Sequence, residues 1–433
     1  MFLLSLYWLL SPVLWILLPV FSIFNPKLRH HFFHESTSWK EAEKKIGDRG
    51  EGNPSTSLRT RKQAVLFHAA SAGEFEQIKP ILNKMDRESY FILLTFFSPT
   101  IYLKEKDPSL ADSVCYHPFD FPWSAWFFFR KMEIQYYIIT RNDIWPTHLY
   151  FAKKMGIYTA LINANIYRDS HYKSGVLQGI IKQILVNFDL ICTGSERLKN
   201  NLIQLVSSEK VKVTGDSRMD RVLERKAENS DSLLPESFRE SHTIILGSVI
   251  PSDYPSIFGG FEKYYSNGKK SLEEKDQRII IVPHEVDSNT LGEIENQLNR
   301  TGLEAVYYSK REDLENCRVV IVDVVGILAE LYAFSDIAYV GAGFGAGVHS
   351  VLEPAVYSNL IGFGPNYQIV DMAVTLTEMG LSQVINNSGD FTRFLTLLEK
   401  KEELSNIQGM MEEFINNQNP AAELIIENIF SND

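Results

Sequence analysis

The chain has 433 residues, of which 45% are hydrophobic and 22% charged. This length suggests two or three domains, and the composition provides large cores and is too apolar for a mostly disordered chain. Its formal net charge of -11 argues against broad nucleic-acid binding, because such binding needs a clustered basic surface. Cys115, Cys192 and Cys317 show no CxxC or metal-ligand spacing, so a reducing compartment fits better than a disulfide framework or a cysteine zinc site.

Residues 1–26 contain no charged side chain. About 20 such residues in a helix span a hydrocarbon core of about 30 Å, and the cationic Lys27 and Arg29 favour the cytoplasmic side for the segment that follows. A cleaved signal peptide would need a basic start and a small-residue cleavage site, and neither is present. A buried core helix is disfavoured by Pro12, Pro19 and the hydrophobicity on all sides. The prediction is a membrane anchor over 1–26, spanning or re-entrant.

The remaining chain alternates short β-branched or aromatic runs with longer helical patterns, which predicts parallel sheets covered by helices on both faces. Polar residues 224–240 divide two such series, so we expect doubly wound domains at 27–223 and 224–433, with the last helix a candidate to pack back on the first domain. Ligands would lie beyond the strand carboxyl ends, in the cleft between the domains. The predicted strands are 64–70, 90–97, 134–140, 157–164, 190–194, 211–215, 243–248, 278–283, 318–323, 336–342 and 360–365.

The segment HAASAGE, from His68 to Glu74, lies where a predicted strand ends and a helix begins. Ser71 and Glu74 have the S-x-x-E spacing of a capping box, in which two side chains satisfy free backbone N–H groups. In the functional alternative, Gly73 lets another group approach the backbone, and the Glu74 carboxylate takes a proton from a hydroxyl as general base. The spacing does not choose between these interpretations.

The segment GAGFGAG, from Gly341 to Gly347, follows another predicted strand. Gly341, Gly343 and Ala346 satisfy G-x-G-x-x-G/A, but no acidic residue follows about 20 positions later to hold a ribose. We therefore expect a glycine-rich loop beside a nucleotide or sugar and no dinucleotide fingerprint.

Two further segments carry candidate ligand-binding groups. Ser350 and Glu353 are spaced to face one ligand, with Glu353 accepting hydrogen bonds from ribose hydroxyls, although a second capping pattern explains the same spacing. In VPHEVD, His284 could donate to a phosphate, whereas Glu285 and Asp287 would repel one. No metal-ligand spacing and no G-x-S-x-G elbow is present.

An ordered set of segments resembles a known family: FHAASAGE, PFDFPWSAWFFFRK, RNDIWP, GDSRMDRV, ILGS, VPHE and VGILAELYAFSDIAYVGAGFGAGVHSVLEPA. With the apolar amino terminus, the chain is similar over nearly its whole length to the transferases of 3-deoxy-D-manno-octulosonic acid (Kdo). These are membrane-anchored glycosyltransferases of GT-B architecture, with two Rossmann-like domains facing a cleft. The resemblance implies an inverting transferase that moves Kdo from CMP-Kdo to a lipid A precursor (lipid IVA) in lipopolysaccharide biosynthesis.

The resemblance also implies roles for individual residues. The family's general base falls on Glu74. The sequence departs from the familiar pattern at His284 (arginine there), Ile327 (glutamate) and Ser350 (asparagine). The implied CMP contacts are Pro283, His284, Val325, Gly326, Ile327, Ser350, Val351, Leu352 and Glu353. Further candidate substrate-binding residues are Ser71, Gly73, Arg168, Arg218, Ser248, Gly343 and His349.

We expect no metal, no cofactor and no nucleic-acid partner, and a catalytic body on the cytoplasmic face of the inner membrane. Two alternatives remain. One is another GT-B enzyme, either a different nucleotide-sugar transferase or an epimerase, which would act without a lipid acceptor. The other is a catalytically silent, membrane-tethered protein that binds nucleotide sugars.

Overall fold

A computed structural model describes residues 2–49, 61–106, 109–141, 143–166, 175–228 and 233–430, with backbone alone at 2, 3 and 175–177. Arg168 and residues 229–232 of the polar stretch 224–240 lie outside the described residues. The chain forms two compact units. Unit 1 comprises Met1–Arg221 and Asn419–Asp433, and unit 2 comprises Val222–Gln418.

Unit 1 contains a parallel sheet of seven described strands in the order β3-β2-β1-β4-β5-β6-β7. The strands are β1 Gln63–Ala69, β2 Tyr90–Phe96, β3 Ser113–Tyr116, β4 Tyr136–Thr140, β5 Tyr158–Ala164, β6 Leu190–Thr193 and β7 Val211–Val213. The helices of this part are α1 Phe2–Phe24, α2 Pro26–Gly47, α3 Ala72–Lys84, α4 Pro99–Glu105, α5 Pro122–Met132, α6 Pro146–Lys154, α7 Gly175–Leu185, α8 Glu196–Leu202 and α9 Ser217–Glu228.

Unit 2 repeats this architecture with seven described strands in the order β10-β11-β9-β8-β12-β13-β14. The strands are β8 His242–Val249, β9 Gln277–Pro283, β10 Val306–Tyr307, β11 Val319–Ile321, β12 Ile337–Val340, β13 Leu360–Phe363 and β14 Ser382–Val384. The helices are α10 Ser237–Glu240, α11 Tyr254–Tyr264, α12 Lys269–Glu274, α13 Ser288–Arg300, α14 Leu328–Leu331, α15 Leu352–Val356, α16 Asp371–Glu378, α17 Ser388–Thr396 and α18 Lys401–Asn416.

The sheets form where the chain is apolar without interruption. All but the first residue of β1 and of β2 are buried, and β9 is buried throughout, because helices cover both faces of each sheet and leave no polar face. Two apolar clusters flank each sheet. The predicted doubly wound α/β class is therefore confirmed.

The last helix, α19 (Ala421–Phe430), belongs to unit 1. Ala422, Ile425 and Ile429 are buried in the same cluster as Val65 of β1. The Phe430 ring lies 4.9 Å from that of Tyr136, measured between centroids. The carboxyl-terminal helix thus completes the core of a unit whose sheet ends two hundred residues earlier.

Helix α1 is long and apolar enough to cross a membrane, and its length and composition are the evidence for membrane association. One side of it contacts the rest of unit 1. The Tyr7 hydroxyl donates to the Asp120 carbonyl oxygen at 2.9 Å, and Trp8 Nε1 donates to Thr147 Oγ1 at 3.0 Å. The other side is bare, with Leu9 75% exposed.

Candidate functional site

In each unit the strand order reverses at one point, between β1 and β4 in unit 1 and between β8 and β12 in unit 2. The connections leave such neighbouring strands in opposite directions, which opens a crevice at their carboxyl ends where doubly wound folds bind ligands. Glu74 follows β1 and Ser248 lies at the end of β8. The candidate residues of each unit therefore gather at its reversal point.

Glu74 lies in the first turn of α3, and its capping box with Ser71 is formed on both sides. Its Oε2 atom accepts from the backbone N–H groups of Ala70 at 2.8 Å and Ser71 at 3.1 Å. The predicted capping box is therefore confirmed. Both bonds use Oε2, and Oε1 has no hydrogen-bond partner among the described residues. Gly73 beside it is exposed, with open space where a Cβ would lie.

A second carboxylate, Asp143, lies near Glu74 at the end of β4. Its Oδ2 atom is 2.9 Å from His68 Nε2 and accepts from Trp145 Nε1 at 2.8 Å. Burial opposes ionisation of Asp143, but the hydrogen bonds from His68 and Trp145 outweigh burial and hold the pKa of this carboxyl below its usual range.

The environment of Glu74 shifts the pKa of its carboxyl upward, opposite to the shift at Asp143. Burial raises the pKa of the Glu74 carboxyl, and the Asp143 carboxylate adds to the rise. The N–H groups of Ala70 and Ser71 and the charge of His68 offset part of it. A carboxylate whose pKa moves toward neutrality is suited to accept a proton. Neither His68 nor Asp143 was predicted as a site residue, although both lie within segments that carried the family resemblance.

Behind His68 lies a buried row of imidazoles. Thr95 Oγ1 lies 3.1 Å from His68 Nδ1 and 3.1 Å from His117 Nδ1, and His117 Nε2 lies 3.0 Å from His148 Nδ1. Burial lowers the pKa of His117 and His148, so both are neutral near pH 7. These partners fix the ring orientation of His68, and through it the position of Asp143.

In unit 2, Ser248, His284 and His349 come together at the end of β8. Ser248 Oγ lies 2.9 Å from His284 Nδ1, and the His284 ring stacks on that of His349 with centroids 4.6 Å apart. Ser248 has φ +56°, a left-handed conformation that is uncommon outside glycine and concentrates at functional sites. His349 Nε2 is buried with no hydrogen-bond partner among the described residues.

The glycine-rich loop has a structural explanation. A Cβ at Gly341 would lie 2.3 Å from the Ser248 carbonyl oxygen, and one at Gly343 would lie 2.4 Å from the Gly364 nitrogen. Both glycines are therefore required where this loop packs against its own unit. The buried Asp253 carboxylate fixes the loop by accepting from the Ala342 N–H at 2.9 Å.

The Ser350 hydroxyl donates to the Glu353 carboxylate, and the Leu352 N–H donates weakly to Ser350 Oγ at 3.4 Å. Helix α15 has Val351 at its N-cap and no side-chain cap, so Ser350 and Glu353 bond to each other and do not form the predicted capping box. Val351 and Leu352 are buried, so their side chains serve the core and leave only their backbone groups for a ligand.

The remaining candidates of unit 2 differ in exposure. Pro283 is buried at the end of β9, and His284 beside it is exposed. Val325 is 79% exposed, next to Gly326 at φ +92° and half-buried Ile327.

Among the described residues, no group of three His, Cys, Asp or Glu side chains is placed to hold a metal ion.

Residues 41–221 match the family described as 3-deoxy-D-manno-octulosonic-acid transferase (kdotransferase). The chain is 29% identical over 361 residues to the 3-deoxy-D-manno-octulosonic acid transferase of Aquifex aeolicus, covering 81% of this chain and 90% of that protein. It is 25% identical to the transferase of the same name from Chlamydia muridarum, covering 78% and 79%.

Solved structures support the fold. A putative UDP-N-acetylglucosamine 2-epimerase from Listeria monocytogenes superposes with a TM-score of 0.64 and 12% identity, covering 86% of this chain and 98% of that one. The UDP-GlcNAc 2-epimerase of Neisseria meningitidis gives a TM-score of 0.60 at 15% identity, covering 85% and 100%. At such low identity these similarities establish the GT-B architecture and nothing about activity.

Proposed function

The chain belongs to the Kdo transferase family of glycosyltransferases, and from this premise we propose that it transfers Kdo from CMP-Kdo to a lipid A precursor. Glu74 is the general base of that reaction. The observation that supports this assignment best is the position of Glu74 at the reversal point of unit 1, with Oε2 held by two N–H groups and Oε1 available.

The proposed chemistry needs one base and one stabilised leaving group. Glu74 takes the proton of an acceptor hydroxyl, whose oxygen attacks the anomeric carbon of Kdo with inversion. The bond from that carbon to the CMP oxygen breaks, and its electron pair stays on the phosphate. Imidazole and backbone N–H donors stabilise the developing charge.

Unit 2 supplies the proposed donor site. His284 and His349 present imidazole groups at the end of β8, and the unpartnered Nε2 of His349 would gain a partner in a phosphate oxygen. Val325, Gly326 and Ile327 would contact the cytosine ring, and the Ser350–Glu353 segment the ribose. We retain Pro283, Ser248 and Gly343 as residues that shape this site.

The lipid acceptor gives the apolar helix α1 a role. A protein that acts on a membrane lipid gains from residence at the bilayer, and α1 exposes apolar side chains over most of its length. We propose that it holds the protein at the cytoplasmic face of the inner membrane, with Lys27 and Arg29 next to anionic headgroups.

The first experiment is Glu74→Gln in the full chain reconstituted with lipid. Glutamine at this helix position also completes a capping box, so folding is retained while the base is lost. Transfer from CMP-Kdo to a tetraacyl lipid A precursor should fall by about 10²- to 10⁴-fold, with CMP-Kdo binding unchanged. The matched control is Glu43→Gln, a carboxylate paired with Lys131 on the same unit, which should retain activity.

Transfer by the Glu74→Gln protein at the wild-type rate would disprove the role of Glu74. Absence of transfer by folded, reconstituted wild type that still binds CMP-Kdo would disprove the proposed reaction and favour a silent nucleotide-sugar binder. Turnover of a nucleotide sugar without any lipid acceptor would instead indicate an epimerase.

A further inference from the structure

Near Glu74 lie two arginines that have no carboxylate oxygen within 4.0 Å among the described residues. Arg141 directly follows β4, and Arg218 is in the first turn of α9. Both are half-buried. Other described arginines do have a carboxylate oxygen within 4.0 Å, for example Arg87 with Asp112. Two half-buried guanidinium groups without a counter-ion are unfavourable unless an anion joins them.

The Arg218 guanidinium is held by α3, the helix that carries Glu74. In the orientation of the Gln77 amide that satisfies both groups, its oxygen accepts from Arg218 Nη2 at 2.9 Å and from Nε at 3.2 Å. Gln77 is fully buried and lies one turn after Glu74. The start of α9 is fixed to the same helix, because Ser217 Oγ donates to the Gln77 carbonyl oxygen at 2.7 Å.

Arg141 is held by its backbone. It has φ +60°, and its N–H donates to the Ile162 carbonyl oxygen at 2.9 Å. A left-handed conformation costs a long side chain about 1 kcal/mol, and such strain is retained chiefly where it positions a functional group. The preceding residue, Thr140, is buried with Oγ1 3.5 Å from the Gln77 amide, so one buried amide links the two arginine positions.

The electrostatics agree with this geometry. Burial lowers the pKa of Arg141, and the positive charge of Arg218 lowers it further, with Asp216 and Glu74 opposing. Arg218, Asp216 and Glu74 thus all act electrostatically on the Arg141 guanidinium. An anion between the arginines would relieve the repulsion.

We propose that Arg141 and Arg218 form an anion subsite beside Glu74 that binds a phosphate or carboxylate group of a substrate. The inference rests on the proposed function, which supplies both chemistries: phosphate groups on the lipid acceptor and the carboxylate of the Kdo donor. Two guanidinium groups bind either group bidentately. The subsite would set the position of the substrate relative to Oε1 of Glu74.

The test uses Arg141→Gln, Arg218→Gln and the control Arg130→Gln in the full chain, with KM measured separately for acceptor and donor. Arg130 is exposed and lies over the Trp126 ring. Its replacement removes one positive charge, as each subsite replacement does. Each subsite variant should raise one KM by about 10- to 100-fold, the range for loss of a charge-assisted donor. Arg→Lys at either position should recover part of this loss.

A phosphatase-treated acceptor distinguishes the two sources. If the subsite binds acceptor phosphate, dephosphorylation weakens acceptor use by wild type but has little further effect on the variants. If it binds the sugar carboxylate, donor KM rises in the variants and dephosphorylation affects all proteins equally. Both KM values within twofold of the Arg130→Gln protein, in either variant that folds, would overturn the subsite.

A binding measurement separates failure of the subsite from failure of the proposed function. Inorganic phosphate titrated into the wild-type protein, followed by ³¹P line broadening, should bind more weakly to both variants by about tenfold or more. This difference requires no turnover, so it can appear even if no lipid acceptor is used. Equal phosphate binding by wild type and both variants would overturn the subsite whatever the reaction.

Discussion

Glu74 has a structural and a chemical role at once. As the third residue of α3 it satisfies two backbone N–H groups, a role that glutamine can fill, whereas as a base it needs an ionisable carboxyl. A nearby carboxylate, Asp143, is held by His68 and Trp145 and raises the affinity of Glu74 for a proton.

We predict that Asp143→Asn shifts the acidic limb of the transfer reaction to lower pH. A base works when deprotonated, so activity is lost as the pH falls through the pKa of Glu74. Burial and the Asp143 charge raise that pKa, and removing the charge lowers it again. The measurement is kcat/KM against pH for wild type and variant. The control is Asp48→Asn, an exposed carboxylate, and an unshifted limb in Asp143→Asn would refute the coupling.

Asp120 provides a second prediction, on stability. Burial raises the pKa of this carboxyl to about 7, although its Oδ1 accepts from the N–H groups of Thr147 and His148. A raised pKa means that the folded chain holds the proton more tightly than the unfolded chain. The stability from this group is full below about pH 4 and is lost as the pH rises to about 7.

Asp120→Asn removes this titration, so its melting temperature relative to wild type should rise between pH 4 and pH 7 and then level off. At pH 8 the free energy of unfolding of the variant, relative to wild type, should exceed its value at pH 4 by on the order of 2–4 kcal/mol. Thermal unfolding at pH 4.5, 6 and 8 measures it. Glu88→Gln, at an exposed carboxylate, should show no such trend, and a pH-independent difference for Asp120→Asn would contradict the assignment.

At the scale of elements, α1 has two unlike faces. Tyr7 and Trp8 hydrogen-bond to unit 1, while Leu9 is 75% and Ile16 69% exposed. The helix is therefore attached to the rest of unit 1 by polar contacts near its start and by Leu18, which packs with Phe119 and Phe121. It offers an apolar surface on its exposed side.

We predict that the double variant Leu9→Lys with Ile16→Lys releases the protein from membranes. Lysine in a hydrocarbon environment costs about 2.5–3.5 kcal/mol per residue, and neither side chain belongs to the contacts with unit 1. Vesicle flotation measures binding, and circular dichroism checks the fold. Lysines at the exposed Ser36 and Thr37 of α2 serve as control, and full retention of the α1 variant would exclude these side chains as the anchor.

Elements with strong apolar patterns were predictable, and short or polar ones were not. Eleven strands were predicted from continuous apolar runs, and each corresponds to a strand, because burial on both faces leaves a clear signature. β3, β10 and β14 were missed. β10 has two residues, and β3 (SVCY) and β14 (SQV) are too short or too polar to stand out.

The candidate site was predictable only in part, for a physical reason. Glu74 and Ser71 are neighbours in sequence, so their spacing revealed a helix start, and that cap is confirmed. Asp143 and Arg141 approach Glu74 because β4 pairs with β1, and no local pattern records which strands pair. The glycine-rich loop was predicted to lie beside a nucleotide or sugar, and the sequence did not reveal that Gly341 and Gly343 also have close backbone neighbours that require glycine.

For the whole molecule, two units share one plan: a parallel seven-stranded sheet with a reversal point, and polar side chains gathered at that point. The two series of apolar runs predicted this duplication. The unit 1 group combines carboxylates and guanidinium groups with a buried row of imidazoles, and the unit 2 group combines two stacked imidazoles with a glycine-rich loop. This difference suits a division between proton transfer and binding of a nucleotide.

The position of α19 has a consequence for synthesis. Residues 63–221 leave the ribosome long before residues 421–430, so the sheet of unit 1 must wait for nearly two hundred codons with the surface around Val65 and Tyr136 uncovered. A nascent chain in this interval exposes an apolar groove that only its last helix fills. A premature stop after unit 2 would therefore damage the unit that was translated first.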